Sequence, residues 1–81
     1  MEIKILGSGC PRCRELEKRT IDMLAELHAD ADVTKVTDIK EIVAYGIMAT
    51  PGLVINGKVK SWGRIPSKDE IKKWIEEEAK Q

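Results

Sequence analysis

Hydrophobic and polar residues alternate from the start of the chain. Glu2-Ile3-Lys4-Ile5-Leu6 sets Ile3 and Ile5 on one face, which predicts a short strand over residues 2 to 6. Gly7-Ser8-Gly9 interrupts it with the composition of a tight loop. From Pro11 the period changes. Cys13, Leu16, Thr20, Met23 and Leu27 recur at helical spacing, and Ile21 and Leu24 widen the stripe. Glu15, Lys18, Arg19, Asp22 and Glu26 point elsewhere. This predicts a helix from Pro11, where a missing N–H costs nothing, to about His28.

Ala31 to Thr37, with Val33, Val36 and two threonines, predicts a second strand. A strand–helix–strand run implies a parallel pair with a right-handed crossover. A short helix follows, capped by Asp38 with Glu41 three residues on. Ile39, Ile42 and Val43 form its expected apolar face, and Gly46 its C-cap. Residues 47–52 form a loop into a third strand, Leu53-Val54-Ile55, and Asn56-Gly57 is a hairpin signal leading into a fourth, Lys58 to about Trp62. After a connector, Ser67 and Glu70 make a capping box for a last helix from Lys68 to about Ala79, expected to bury Ile71, Trp74, Ile75 and Ala79. The order β-α-β-α-β-β-α predicts an α/β fold with one four-stranded mixed sheet and helices on both faces.

Composition narrows the function classes. A chain of 81 residues is expected to be a single domain, 1–81. Lys plus Arg is 14 and Asp plus Glu is 14, so neither the basic footprint of a nucleic-acid binder nor a polybasic membrane signal is present. No apolar run approaches the roughly 20 residues of a spanning helix. The first residues do not read as a secretory signal, so the expected location is cytoplasmic. In that reducing compartment two cysteines three residues apart are catalytic or metal-binding rather than a structural staple.

The pair is Cys10 and Cys13, in Gly-Ser-Gly-Cys-Pro-Arg-Cys at the strand-to-helix junction. Cys10 precedes the helix, where unpaired N–H groups and the dipole favour a thiolate. Arg12 and Arg14 add positive charge in the first turn, a poor choice for helix stability but a good one for Cys10. Pro11 restrains the intervening loop. Cys13 falls on the buried stripe and is expected to be the more protonated thiol. The expected division is Cys10 as nucleophile and Cys13 as resolving thiol. Three other readings compete. A zinc site needs two more ligands, and the chain offers only His28, a helix away. An inert thiol pair leaves the glycines, proline and arginines unexplained. A copper(I)-type chaperone would use the same Cys-x-x-Cys, but with a different element order.

Taken with Thr50-Pro51 before the third strand, Asn56-Gly57 at the hairpin, Gly63 after the fourth strand and the closing Ser-Lys-x-x-Ile helix, these residues resemble the thioredoxin-like superfamily. The likeness covers nearly the whole chain and is greatest to the small redox-active disulfide proteins, short forms lacking the extra N-terminal strand and helix. The resemblance implies a cis Pro51 beside the cysteines, a Thr50 backbone open to strand-like pairing with substrate, and a Gly63 that leaves room for the partner's chain. It implies protein-disulfide substrates, an upstream disulfide reductase, no cofactor beyond the chain's own disulfide, no metal, and a monomer. Two departures stand out. Gly9 replaces the usual tryptophan before the first cysteine. Lys4 falls where ordinary thioredoxins bury an aspartate, so no base for Cys13 can be named. A glutaredoxin-like, glutathione-dependent reductase is the alternative, though Ser61-Trp62-Gly63-Arg64-Ile65 lacks the Gly-Gly and acidic pair that grips glutathione. Trp74 reads as core, and Trp62 as core or edge cover before it reads as groove. Met48 reads as packing, and Glu76, Glu77 and Glu78 as a solvated tail.

Overall fold

A computed structural model describes residues 1–7, 9 and 11–79. Seven elements follow in chain order: β1 (Glu2–Leu6), α1 (Pro11–Glu26), β2 (Asp32–Val36), α2 (Ile39–Ala44), β3 (Gly52–Ile55), β4 (Lys58–Trp62) and α3 (Lys68–Ala79). The strands form one sheet in the order β2-β1-β3-β4. The β1–β2 pair is parallel, and the other two pairs are antiparallel.

The alternation in β1 decides which layer each residue joins. Ile3 and Ile5 pair with Ile55 and Leu53 and share their face. That face buries Leu16, Met23 and Leu24 of α1 and Ile71 and Ile75 of α3. Leu6, Val54 and Val36 point the other way and pack with Ile42 of α2 and with Ile47. Helices thus cover both faces of a mixed sheet. Thr20, fully buried on the α1 stripe, is satisfied locally, its hydroxyl donating to the Leu16 carbonyl at 2.8 Å.

Local chemistry sets the boundaries. α1 stops two residues earlier than its pattern suggests, because His28 takes a left-handed conformation (φ 51°). The Ala29 N–H then bonds the Leu24 carbonyl and the His28 N–H the Ala25 carbonyl, so a histidine occupies the position glycine usually fills in this cap. Asn56 and Gly57 both have positive φ, the twist a two-residue hairpin requires. Asp38 accepts from the Lys40 N–H, and Ser67 and Glu70 exchange the two bonds of a capping box.

Several side chains lie elsewhere than the linear pattern places them. Ile39 and Val43 are exposed and only Ile42 of α2 is buried, because so short a helix meets the sheet along one line. Trp74 is half-buried at the margin of the core, and Ala79 is exposed at the helix end. Glu78 does not belong to a solvated tail. Successive helical residues point about 100° apart, so one of three glutamates turns inward. Its carboxylate receives Lys60 Nζ at 2.9 Å and Lys58 Nζ at 3.4 Å, tying α3 to β4. The Lys60 hydrogen bond leads in holding that carboxyl below the usual range.

Candidate active site

The site grows from the end of β1. The Gly7 N–H bonds the Val36 carbonyl at 2.9 Å, which pins the loop to β2. α1 then begins at Pro11, and Cys13 sits in its first turn with 4% of its surface exposed. Its sulfur lies against Gly7. A Cβ at Gly7 would overlap the Cys13 Sγ and come within 3.8 Å of the Thr50 Cβ. Only a glycine lets β1 pass this close beneath the thiol.

Thr50 precedes Pro51 through a cis peptide, and Pro51 is buried. The Gly63 N–H donates to the Pro51 carbonyl at 3.0 Å. Arg12 Nη2 donates in turn to the Gly63 carbonyl at 3.3 Å. Cys13, Thr50, Pro51, Gly63 and Arg12 therefore converge although they come from three stretches of chain. Arg14 lines a recess beside Cys13. Pro11 is exposed at the helix start. Cys10, expected as the nucleophile, lies outside the described residues.

Exposed apolar surface flanks the cis-proline loop. Met48, two residues before Thr50, is 90% exposed, and Trp62, next to Gly63, is 46% exposed. Neither is core. Trp62 pairs with Gly52 at the end of β4.

The recess holds what the linear pattern did not single out. It has a volume of about 130 Å³ and is lined by Ile5, Gly7, Gly9, Cys13, Arg14, Glu17 and Lys35. Lys35 Nζ and Glu17 Oε1 form an ion pair at 3.2 Å across it. Two signals lay in the sequence. Glu17 is four residues after Cys13 on one helix, and Lys35 shares the β2 alternation of Val33. Lys4, by contrast, points to the opposite face from Ile5. Its Nζ donates to the Tyr45 hydroxyl at 3.1 Å and lies 3.6 Å from Glu2, and the Tyr45 contact leads in holding its ammonium above the usual range. Lys4 thus belongs to the α2 side of the sheet, away from the recess.

Among the described residues no group of three or more His, Cys, Asp or Glu side chains is placed to hold a metal ion. No described helix is long and apolar enough to cross a membrane.

Comparison with known proteins agrees with this arrangement. A family profile described as a thioredoxin domain matches residues 1–76. A thioredoxin of Methanothermobacter thermautotrophicus is 42% identical over 73 residues, covering 90% of this chain and 95% of its own. A thioredoxin of Methanocaldococcus jannaschii is 39% identical over 70 residues, covering 86% of this chain and 80% of its own. The matched stretch runs from β1 well into α3 and takes in the cysteine loop, the cis-proline turn and Gly63, and on that footing the chain belongs to the thioredoxin family.

Proposed function

We propose that this thioredoxin-type redox protein is a thiol-disulfide oxidoreductase that reduces protein disulfides as one domain, through a Cys10–Cys13 dithiol/disulfide cycle. The Cys10 thiolate attacks a substrate disulfide, forms a mixed disulfide and releases one substrate thiolate. Cys13 then attacks the Cys10 sulfur. A Cys10–Cys13 bond forms, the mixed disulfide breaks, and the second substrate sulfur leaves with the electron pair and takes up a proton. An upstream disulfide reductase returns two electrons to the pair.

The observation that carries this reading is the placement of Cys13. It is buried in the first turn of α1, against Gly7 and beside Thr50 and the cis Pro51. A thiol so enclosed is suited to meeting a sulfur delivered from the neighbouring turn, and poorly suited to meeting a bulky substrate first. The Thr50 backbone supports strand-like pairing with an extended substrate segment, with Gly63 leaving space for it. Met48 and Trp62 supply apolar contact to the same segment. Arg12, held on Gly63, and Arg14 keep positive charge at the start of α1, which favours the Cys10 thiolate.

Insulin disulfide reduction with dithiothreitol tests the reading in wild type, Cys10→Ser and Cys13→Ser proteins. The dithiol protein accelerates the reaction and both variants lose that activity. Cys13→Ser additionally traps a partner on Cys10, seen as a mass adduct. A wild-type rate no faster than that of Cys10→Ser refutes the proposal, and adducts found only on Cys13 in Cys10→Ser reverse the assigned roles.

A further inference from the structure

The proposed cycle asks a buried thiol to give up its proton as it attacks. Among the described residues, the recess beside Cys13 offers one carboxylate, that of Glu17. On a helix, side chains lean toward the N-terminus, and residues four apart are neighbours about 5–6 Å apart at Cβ. Glu17 therefore leans over the turn that carries Cys13. Its carboxylate is held there by Lys35, which reaches in from β2 opposite Ile5. The recess, about 130 Å³, exceeds the roughly 30 Å³ that one water occupies in the liquid. Arg14, Lys35 and the Glu17 carboxylate give such a water several polar partners.

The ion pair lies toward the surface. Lys35 keeps 59% of its side-chain surface exposed and Glu17 22%, and ion pairs with one partner in solvent contribute little to stability. What sets it apart is that both its residues line the recess that Cys13 also lines.

We infer that Glu17, positioned by Lys35, accepts the Cys13 thiol proton as Cys13 attacks the mixed disulfide at Cys10. This rests on the Cys10–Cys13 cycle proposed above. In the step, the Cys13 S–H proton passes through a recess water to the Glu17 carboxylate. The Cys13 sulfur bonds to the Cys10 sulfur, the bond from Cys10 to substrate breaks, and the leaving sulfur carries off the electron pair. The proton on Glu17 then returns to the departing thiolate or to solvent, so the carboxylate is regenerated. Among the described residues, the charged and titratable groups lining the recess are Cys13, Arg14 and Glu17 from α1 and Lys35 from β2. β1 and the loop contribute Ile5, Gly7 and Gly9.

The two sulfur steps can be read separately. An aromatic disulfide such as dithiobis(nitrobenzoate) releases one coloured thiolate when Cys10 attacks and a second when Cys13 resolves. Glu17→Gln keeps the size of the side chain and removes its capacity as a proton acceptor. The expected result is a first release within about twofold of wild type and a second slowed on the order of tenfold or more at neutral pH. The variant's second release then rises about tenfold per pH unit, as it depends on free thiolate alone, while the wild-type rate is flatter between about pH 6 and about pH 8. A role limited to charge predicts the reverse, since removing a nearby anion favours the thiolate and speeds resolution. A second release unchanged or faster in Glu17→Gln, or a pH profile parallel to wild type, overturns the inference while leaving the cycle intact. A wild-type protein that gives no second release refutes the cycle, and the Glu17 role with it.

Discussion

Two glycines two residues apart should behave in opposite ways, and Gly7 is the informative one. In Gly7→Ala the new Cβ overlaps the Cys13 Sγ and meets the Cys13 Cβ at 3.2 Å. The loop cannot retreat without breaking the Gly7 N–H bond to Val36, and the thiol, 4% exposed, can yield only toward the recess that it lines. Forcing one methyl into a packed site of this kind costs about 1–3 kcal/mol. For a domain of this size each kcal/mol lowers Tm by roughly 4–8 °C. Gly9→Ala meets nothing within 4 Å and suffers only from its left-handed backbone (φ 83°), a cost of about 1–2 kcal/mol. Stability alone therefore separates the two weakly, and thiol chemistry separates them well. In a Cys10→Ser background, alkylation of Cys13 under native conditions reports its exposure. Gly7→Ala displaces the sulfur and speeds alkylation severalfold, whereas Gly9→Ala leaves the rate near that of the parent. A Gly7→Ala protein with Tm within about 2 °C of its parent and an unaltered alkylation rate would refute the close approach of β1 to Cys13.

Two further outcomes test the frame around the site. Glu70 is held down to about 2, from an ordinary 4.5, chiefly by its hydrogen bonds from Arg64 and then by the Ser67 N–H. A depressed folded-state value means that its contribution is complete above about 4.5 and is lost as pH falls through about 2. Thermal unfolding followed across that window should show a steeper acid loss for wild type than for Glu70→Gln, and parallel curves would contradict the assignment. Leu16, fully buried between α1 and the sheet, should cost about 2–5 kcal/mol when changed to Ala, with the urea midpoint falling and the slope unchanged. A smaller loss would mean that α1, and Cys13 with it, is less firmly seated than the packing shows.

The order and type of all seven elements were legible in the sequence, because each carried its own local signal. The period-2 run of Ile3 and Ile5, the helical stripe through Leu16 and Met23, the Asn56-Gly57 hairpin and the Ser67–Glu70 box all act within a few residues. The cysteine spacing and Thr50-Pro51 were legible for the same reason. What local signals could not rank was competition between neighbours on one helix. Ile39, Ile42 and Val43 are equally apolar, and only contact with Leu6, Val36 and Val54 selects Ile42. Glu76, Glu77 and Glu78 are identical in type, and only the lysines of β4 select Glu78.

The same division runs through the site. The sequence by itself set a Cys-x-x-Cys spacing where a strand pattern gives way to a helix pattern, since backbone freedom at glycine, the fixed φ of proline and helix periodicity act at short range. Tertiary structure alone decided what surrounds it. The parallel pairing of β1 with β2 sets Lys35 opposite Ile5, beneath the first turns of α1, and there it meets Glu17. The antiparallel return through β3 and β4 brings Gly63 to Pro51 and, through Arg12, to the start of α1. Such contacts join residues from 12 to 51 positions apart, and strand register, which a linear pattern leaves open, selects them.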